Sequence, residues 1–80
     1  MKYSEENEKK REEARGPVGR RLLELRLARK MDQETMARMI GVSSSTWRAW
    51  EQGRTKPGPL VLEGLAVRLN VSAESVLGKA

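Results

Sequence analysis

Apolar residues recur along this chain at helical spacing, in short runs divided by turn-forming residues. Val18, Leu22 and Leu25 make one stripe and Leu23 and Leu27 a second, which predicts a helix over about Pro17 to Arg29. Pro17 suits its first turn, where a missing N–H costs nothing, and Arg29 and Lys30 suit its end, where the helix dipole favours cations. Met31 leads to Asp32, a good cap for a helix opening at Gln33. From Gln33 to Ile40 the apolar positions Met36, Ala37 and Ile40 share one face. Gly41 breaks that helix, since it enters the left-handed conformation without a Cβ penalty. Ser43 can cap a third helix, Ser44 to Gln52, in which Trp47 and Trp50 stand three apart and which Gly53 stops. Arg54 to Pro59 reads as a turn, and Pro59 opens a fourth helix in which Leu60, Val61, Leu65, Ala66 and Leu69 repeat. Gly64 within it costs up to about 1 kcal/mol relative to Ala, which close packing against another helix would explain. Asn70 ends that helix, and Ser72 caps a last short one with Val76 and Leu77 inward and Gly78 at its end. No segment alternates with a period of two, so the expected fold class is all-α with five helices.

Met1 to Arg15 breaks this pattern, with hardly an apolar residue beyond Tyr3. Glu5–Lys9, Glu6–Lys10 and Lys9–Glu13 stand four apart and support a helix by only about 0.2–0.5 kcal/mol each. With no apolar face to bury, residues 1–15 are expected to form a charged N-terminal extension, frayed or disordered. Gly16-Pro17 then marks the start of a domain running over residues 16–80. The other reading of the extension is an arm that binds a protein partner.

The two short helices on either side of Gly41 cannot stand alone, because nucleation consumes most of what so few hydrogen bonds return. They must lean on each other, with small Ala37 letting them approach closely. That pair is a helix-turn-helix, the unit that sets its second helix in the DNA major groove. The residues also resemble the lambda-repressor/Cro-like (XRE-type) DNA-binding family. The likeness runs in register through Gln33, Ala37, Gly41-Val42-Ser43 and Trp50-Glu51-Gln52-Gly53. It continues through Arg54-Thr55-Lys56-Pro57 to Leu69-Asn70-Val71-Ser72, and covers roughly Gly19 to Gly78. The resemblance implies a compact five-helix domain that binds double-stranded DNA.

By that resemblance Ser44, Ser45 and Ala49 match base-facing positions. The Ser hydroxyls donate or accept and so discriminate bases weakly, while Ala49 offers only apolar contact, as with a thymine methyl. Arg48 is the strongest side chain on this surface; one residue off the usual base-reading position, it favours a phosphate contact over a guanine contact. Gln33, at the positive end of its helix, takes over the family's hold on the DNA backbone. Ser43, Arg54, Thr55 and Lys56 join it as phosphate-facing residues, which position the protein without reading sequence. Arg26 and Glu51 match a pair that bridges the first helix to the end of the third in relatives. Trp47 and Trp50 could stack on unpaired bases, but their spacing beside Ala37 and Ile40 favours core packing.

Charge sharpens this picture. Residues 1–15 hold five basic and five acidic side chains, so the whole net charge of +5 belongs to residues 16–80. A positive domain fits a nucleic-acid partner, though excess charge also serves solubility. The chain has no Cys and no His, hence no disulfide or thiolate site and no imidazole base. The Ser43-Ser44-Ser45-Thr46 hydroxyls lack any base or carboxylate pair, so an enzyme is not expected, nor a metal or other cofactor. No apolar run approaches a membrane span or signal-peptide core, and a cytoplasmic, nucleoid-associated protein is expected.

These readings converge on a sequence-specific transcription regulator, a repressor or autoregulator of bacterial or phage type. One recognition helix reads few base pairs, so a homodimer on a palindromic operator is expected, with half-sites about one helical turn (roughly 34 Å) apart. The surface of helices four and five must then form the dimer, with Leu62, Val71 or Val76 as contacts. The rival is an antitoxin that autoregulates its operon and holds a protein partner through residues 1–15. Against it, the extension lacks the apolar stripe of a docking helix.

Overall fold

The computed structural model describes the backbone of residues 5–77 and the side chains of residues 15–77. Its helices are α1 (Glu5–Ala28), α2 (Gln33–Ile40), α3 (Ser44–Glu51), α4 (Pro59–Leu69) and α5 (Ala73–Val76), with no strand among the described residues. The fold is all-α.

α1 is two helical segments joined at Gly16, whose φ of 71° and ψ of 176° lie in a region essentially reserved for glycine. Pro17 follows at the first position of the second segment, as its missing N–H allows. The backbone is helical from Glu5 onward, where charge pairing alone gives a weak helix. The pairs Glu5–Lys9, Glu6–Lys10 and Lys9–Glu13 lie outside the described side chains.

Side-chain caps fix three helix starts. Asp32 accepts from the Thr35 N–H at 2.7 Å, Ser43 from the Thr46 N–H at 3.1 Å, and Ser72 from the Ser75 N–H at 3.0 Å. Gly41, at a φ of 91°, ends α2 by donating its N–H to the Ala37 carbonyl. Asn70 does the same for α4 with a φ of 58°, the one position where Asn substitutes well for glycine. Thr46, Ser75 and Thr35 thus spend backbone donors that would otherwise be unsatisfied at each helix entrance.

Leu22, Met36, Trp47, Leu65, Leu69 and Val76 are fully buried where the helices converge. Trp47 and Trp50 meet edge-on, with ring centroids 5.9 Å apart and planes at 63°. α1 comes so close to the end of α3 that a Cβ on Gly19 would stand 2.7 Å from the Glu51 carbonyl oxygen and 2.8 Å from that of Trp50. Only glycine fits there.

Three expectations from the apolar pattern are corrected. Leu27 is 57% exposed, so the second stripe of α1 is not a core face. In α4 the buried set is Leu62, Leu65, Ala66 and Leu69, whereas Leu60 and Val61 face out. Leu-Val-Leu fits either phase of the wheel, and only the i, i+3, i+4, i+7 series from Leu62 closes on the core. Gly64 accordingly meets no other helix: a Cβ there would have nothing within 4 Å. The same rotation buries Leu62 in the protomer, Val76 of α5 is buried as well, and half-buried Val71 packs against the core, so Leu62 and Val76 are removed from any dimer contact.

Candidate nucleic-acid interface

α3 is amphipathic in a particular way. Trp47, Trp50 and Glu51 are buried against α1 and α2, and the turn Gly41–Ser43 fixes where α3 begins. The opposite side carries Ser45, Arg48 and Gln52 in the open, with Ser44 and Ala49 half-buried at its edges. The predicted base-facing residues therefore share one solvent-facing side of a helix locked from behind.

The lock is built around Glu51, a buried charged side chain. Its carboxylate accepts from Arg26 through both Nε (2.6 Å) and Nη2 (3.1 Å), from Gln33 Nε2 at 3.1 Å, and from Trp47 Nε1. Arg26 also donates from Nη1 to the Met31 carbonyl at 3.0 Å, tying the α1–α2 junction to the end of α3. Burial alone would raise the Glu51 pKa, but the hydrogen bonds from Arg26, Gln33 and Trp47 outweigh it and hold the carboxyl below its usual range. Every lone-pair direction of this carboxylate is used, which is what a buried charge requires.

Gln33 stands between this lock and the outer surface. It is half-buried, and its Oε1 accepts from Arg48 Nε at 3.2 Å. Both ends of its amide thus have protein partners, and the second N–H of its Nε2 is the donor left for a phosphate. Asp32, just before it, is held below its ordinary pKa by the hydrogen bonds from Thr35.

Ser43 is exposed but occupied: its hydroxyl caps α3 and also bonds the hydroxyls of Ser45 at 3.1 Å and Thr46 at 2.8 Å. Arg54, Thr55 and Lys56 are all exposed. The Arg54 and Thr55 N–H groups bond the Ala49 carbonyl at 3.0 and 3.5 Å, which folds this loop back against the end of α3. Thr55 and Lys56 line a shallow cleft with Arg15, Pro17, Val18 and Trp50, beside the kink of α1. The phosphate-facing candidates are thus split between the starts of α2 and α3 and the loop after α3.

Gln52 was not among the sequence candidates, although it stands four residues beyond Arg48 and three beyond Ala49 on the same side. Its signal is that spacing alone. Among the described residues no group of acidic side chains is clustered to hold a metal ion, and no helix is long and apolar enough to cross a membrane.

A family model described as a helix-turn-helix domain matches residues 17–77 of this chain. No curated protein and no solved structure matches it.

Proposed function

The chain belongs to the helix-turn-helix domain family, in agreement with the XRE-type resemblance of its motif, and from that premise we propose that it is a sequence-specific, double-stranded-DNA-binding transcription regulator. The observation that carries the proposal is the division of α3. One side is anchored by Trp47, Trp50 and Glu51, and the other carries Ser45 and Arg48 exposed with Ser44 and Ala49 half-buried at its edges. A helix held from behind and bare in front is what insertion into a major groove needs. Residues 16–80 are the DNA-binding unit in this reading, and the match from residue 17 supports that boundary. Arg54, Thr55 and Lys56 grip the phosphates next to the C-terminal end of α3.

The regulator acts as a homodimer on a palindromic operator, as a repressor or autoregulator, in the cytoplasm with the nucleoid. Of the four large apolar side chains left exposed among the described residues, three lie on α4: Leu60 at 83%, Val67 at 79% and Val61 at 43%. Leu60, Gly64 and Val67 follow one another along a single side of α4, and Gly64 leaves room there for another backbone. A second copy of this chain is the occupant that the symmetry of an operator calls for.

Replacing Arg54 and Lys56 together with Ala tests the electrostatic half of the reading. Specific and non-specific DNA binding should weaken alike, and the slope of log affinity against log salt should flatten by about one per lost phosphate contact. An unchanged slope would remove both residues from the backbone contact.

A further inference from the structure

We propose that Gln33 is a positioning residue that turns Arg48 into a reader of guanine. The inference rests on the DNA-binding reading and sharpens it to one base contact.

The chemistry of the amide leaves little choice. An ionised carboxylate can only accept hydrogen bonds, so Glu51 Oε1 must face the NH2 end of the Gln33 amide. That choice fixes which way round the amide lies, and it points Oε1 outward as an acceptor. Arg48, from the exposed side of α3, supplies the donor through Nε. Arg26, Glu51, Gln33 and Arg48 therefore form a chain of alternating donors and acceptors, running from the buried seam of α1, α2 and α3 to the outer side of α3.

Arg48 gains two things from this. Its long side chain, exposed and otherwise free to sample many rotamers, is held at one atom by a group that is itself held. The bond uses Nε alone, so the planar Nη1–Nη2 end stays available. Two parallel N–H donors in one plane match the O6 and N7 acceptors of guanine in the major groove, and this fork is the commonest specific contact in DNA recognition. A phosphate would accept a loose cation equally well; a guanine edge benefits from an oriented one. With Ser44, Ser45 and Ala49 contributing small contacts, Arg48 is left as the main source of discrimination on the helix.

The test is selection of bound sites from a random double-stranded DNA pool by the full chain, run beside Gln33→Met, Arg48→Lys and the double variant, each with a thermal melt. Gln33→Met keeps the length of the side chain and removes both amide bonds, while Glu51 retains Arg26 and Trp47, so the fold should hold. The wild type should select a G·C pair at one symmetric position per half-site, preferred by tenfold to a hundredfold on the order expected of a bidentate contact. Arg48→Lys should lose that preference. Gln33→Met should reduce it by about tenfold while the remaining selected positions and the salt slope stay unchanged, and the double variant should be no worse than Arg48→Lys alone. A Gln33→Met variant that keeps the guanine preference, or weakens binding to all sequences equally, would overturn the assignment and leave Gln33 to the phosphates alone. A wild type that enriches no sequence would instead sink the DNA-binding reading, so the two failures are distinct.

Discussion

The inner side of α3 presents Trp47, Trp50 and Glu51 to α1 and α2, and its outer side presents Ser44, Ser45, Arg48, Ala49 and Gln52 to solvent. Inside, each group is committed: the indoles meet edge-on, the carboxylate is fully hydrogen-bonded, and Gly19 admits no extra carbon. Outside, the side chains are small or flexible, and among the described residues only Arg48 has a side-chain bond to another helix. The contrast separates two jobs within one eight-residue helix. In the proposed function the inner residues determine whether the helix is presented at all, and the outer ones determine what it reads. Mutations on the two sides should therefore fail differently, by unfolding on one and by altered recognition on the other.

The largest effect is expected at the core of the inner side. Trp50→Ala empties a large buried aromatic site and should cost about 3–5 kcal/mol, enough in a domain this small to unfold it at room temperature. Circular dichroism would show it; a folded Trp50→Ala protein that had merely lost DNA affinity would put Trp50 on the wrong side of the comparison.

Glu51 comes next. Glu51→Gln replaces an acceptor-only group with one that must point an NH2 at other donors, and should cost about 3 kcal/mol at neutral pH. The pH dependence has a definite sign. The folded-state pKa of Glu51 is lowered, so its stabilisation is complete above the ordinary value of 4.5 and is lost as pH falls through the folded value. Urea melts between neutral and acid pH should therefore converge for wild type and Glu51→Gln on acidification. A constant gap between them would show that the carboxylate charge is not what matters.

Gly19→Ala is a smaller disturbance. The added methyl would meet two backbone carbonyls that cannot swing aside, so α1 must withdraw from α3, at about 2 kcal/mol. Because Ala is otherwise the better helix former by about 1 kcal/mol, a stabilised Gly19→Ala would mean that the two helices do not approach this closely.

Much of this arrangement is legible in the sequence, and the limits are physical. Caps and stops are local events, so Asp32, Gly41, Ser43, Asn70 and Ser72 announce α2 to α5 within a residue or two. The buried faces of α2 and α3 follow from spacing because polar residues interrupt the apolar ones and fix the phase. α4 has no such interruption at Leu60-Val61-Leu62, and its phase is set by what it packs on, which no local pattern encodes. The role of Gln33 is hidden for the same reason. Its two partners, Glu51 and Arg48, are eighteen and fifteen residues away, and only the crossing of α2 and α3 brings them together. The relation of Arg26 to Glu51 entered through resemblance, since nothing in either residue's neighbours points to the other.

The outer side should accept change at least cost, and that makes it the place to test the central claim that α3 reads DNA. Ala49→Gln adds a side chain able to bond adenine bidentately at a half-exposed position, and should leave the melting temperature nearly unchanged. The decisive measurement is selection of bound sites from random double-stranded DNA by wild type and by Ala49→Gln. A palindrome is expected for the wild type, and for the variant the same palindrome with a new preference for adenine at one symmetric pair of positions, worth roughly 1–3 kcal/mol of discrimination. Identical selected sequences from two equally stable proteins would contradict it, because the outer side of α3 would then not be facing the bases.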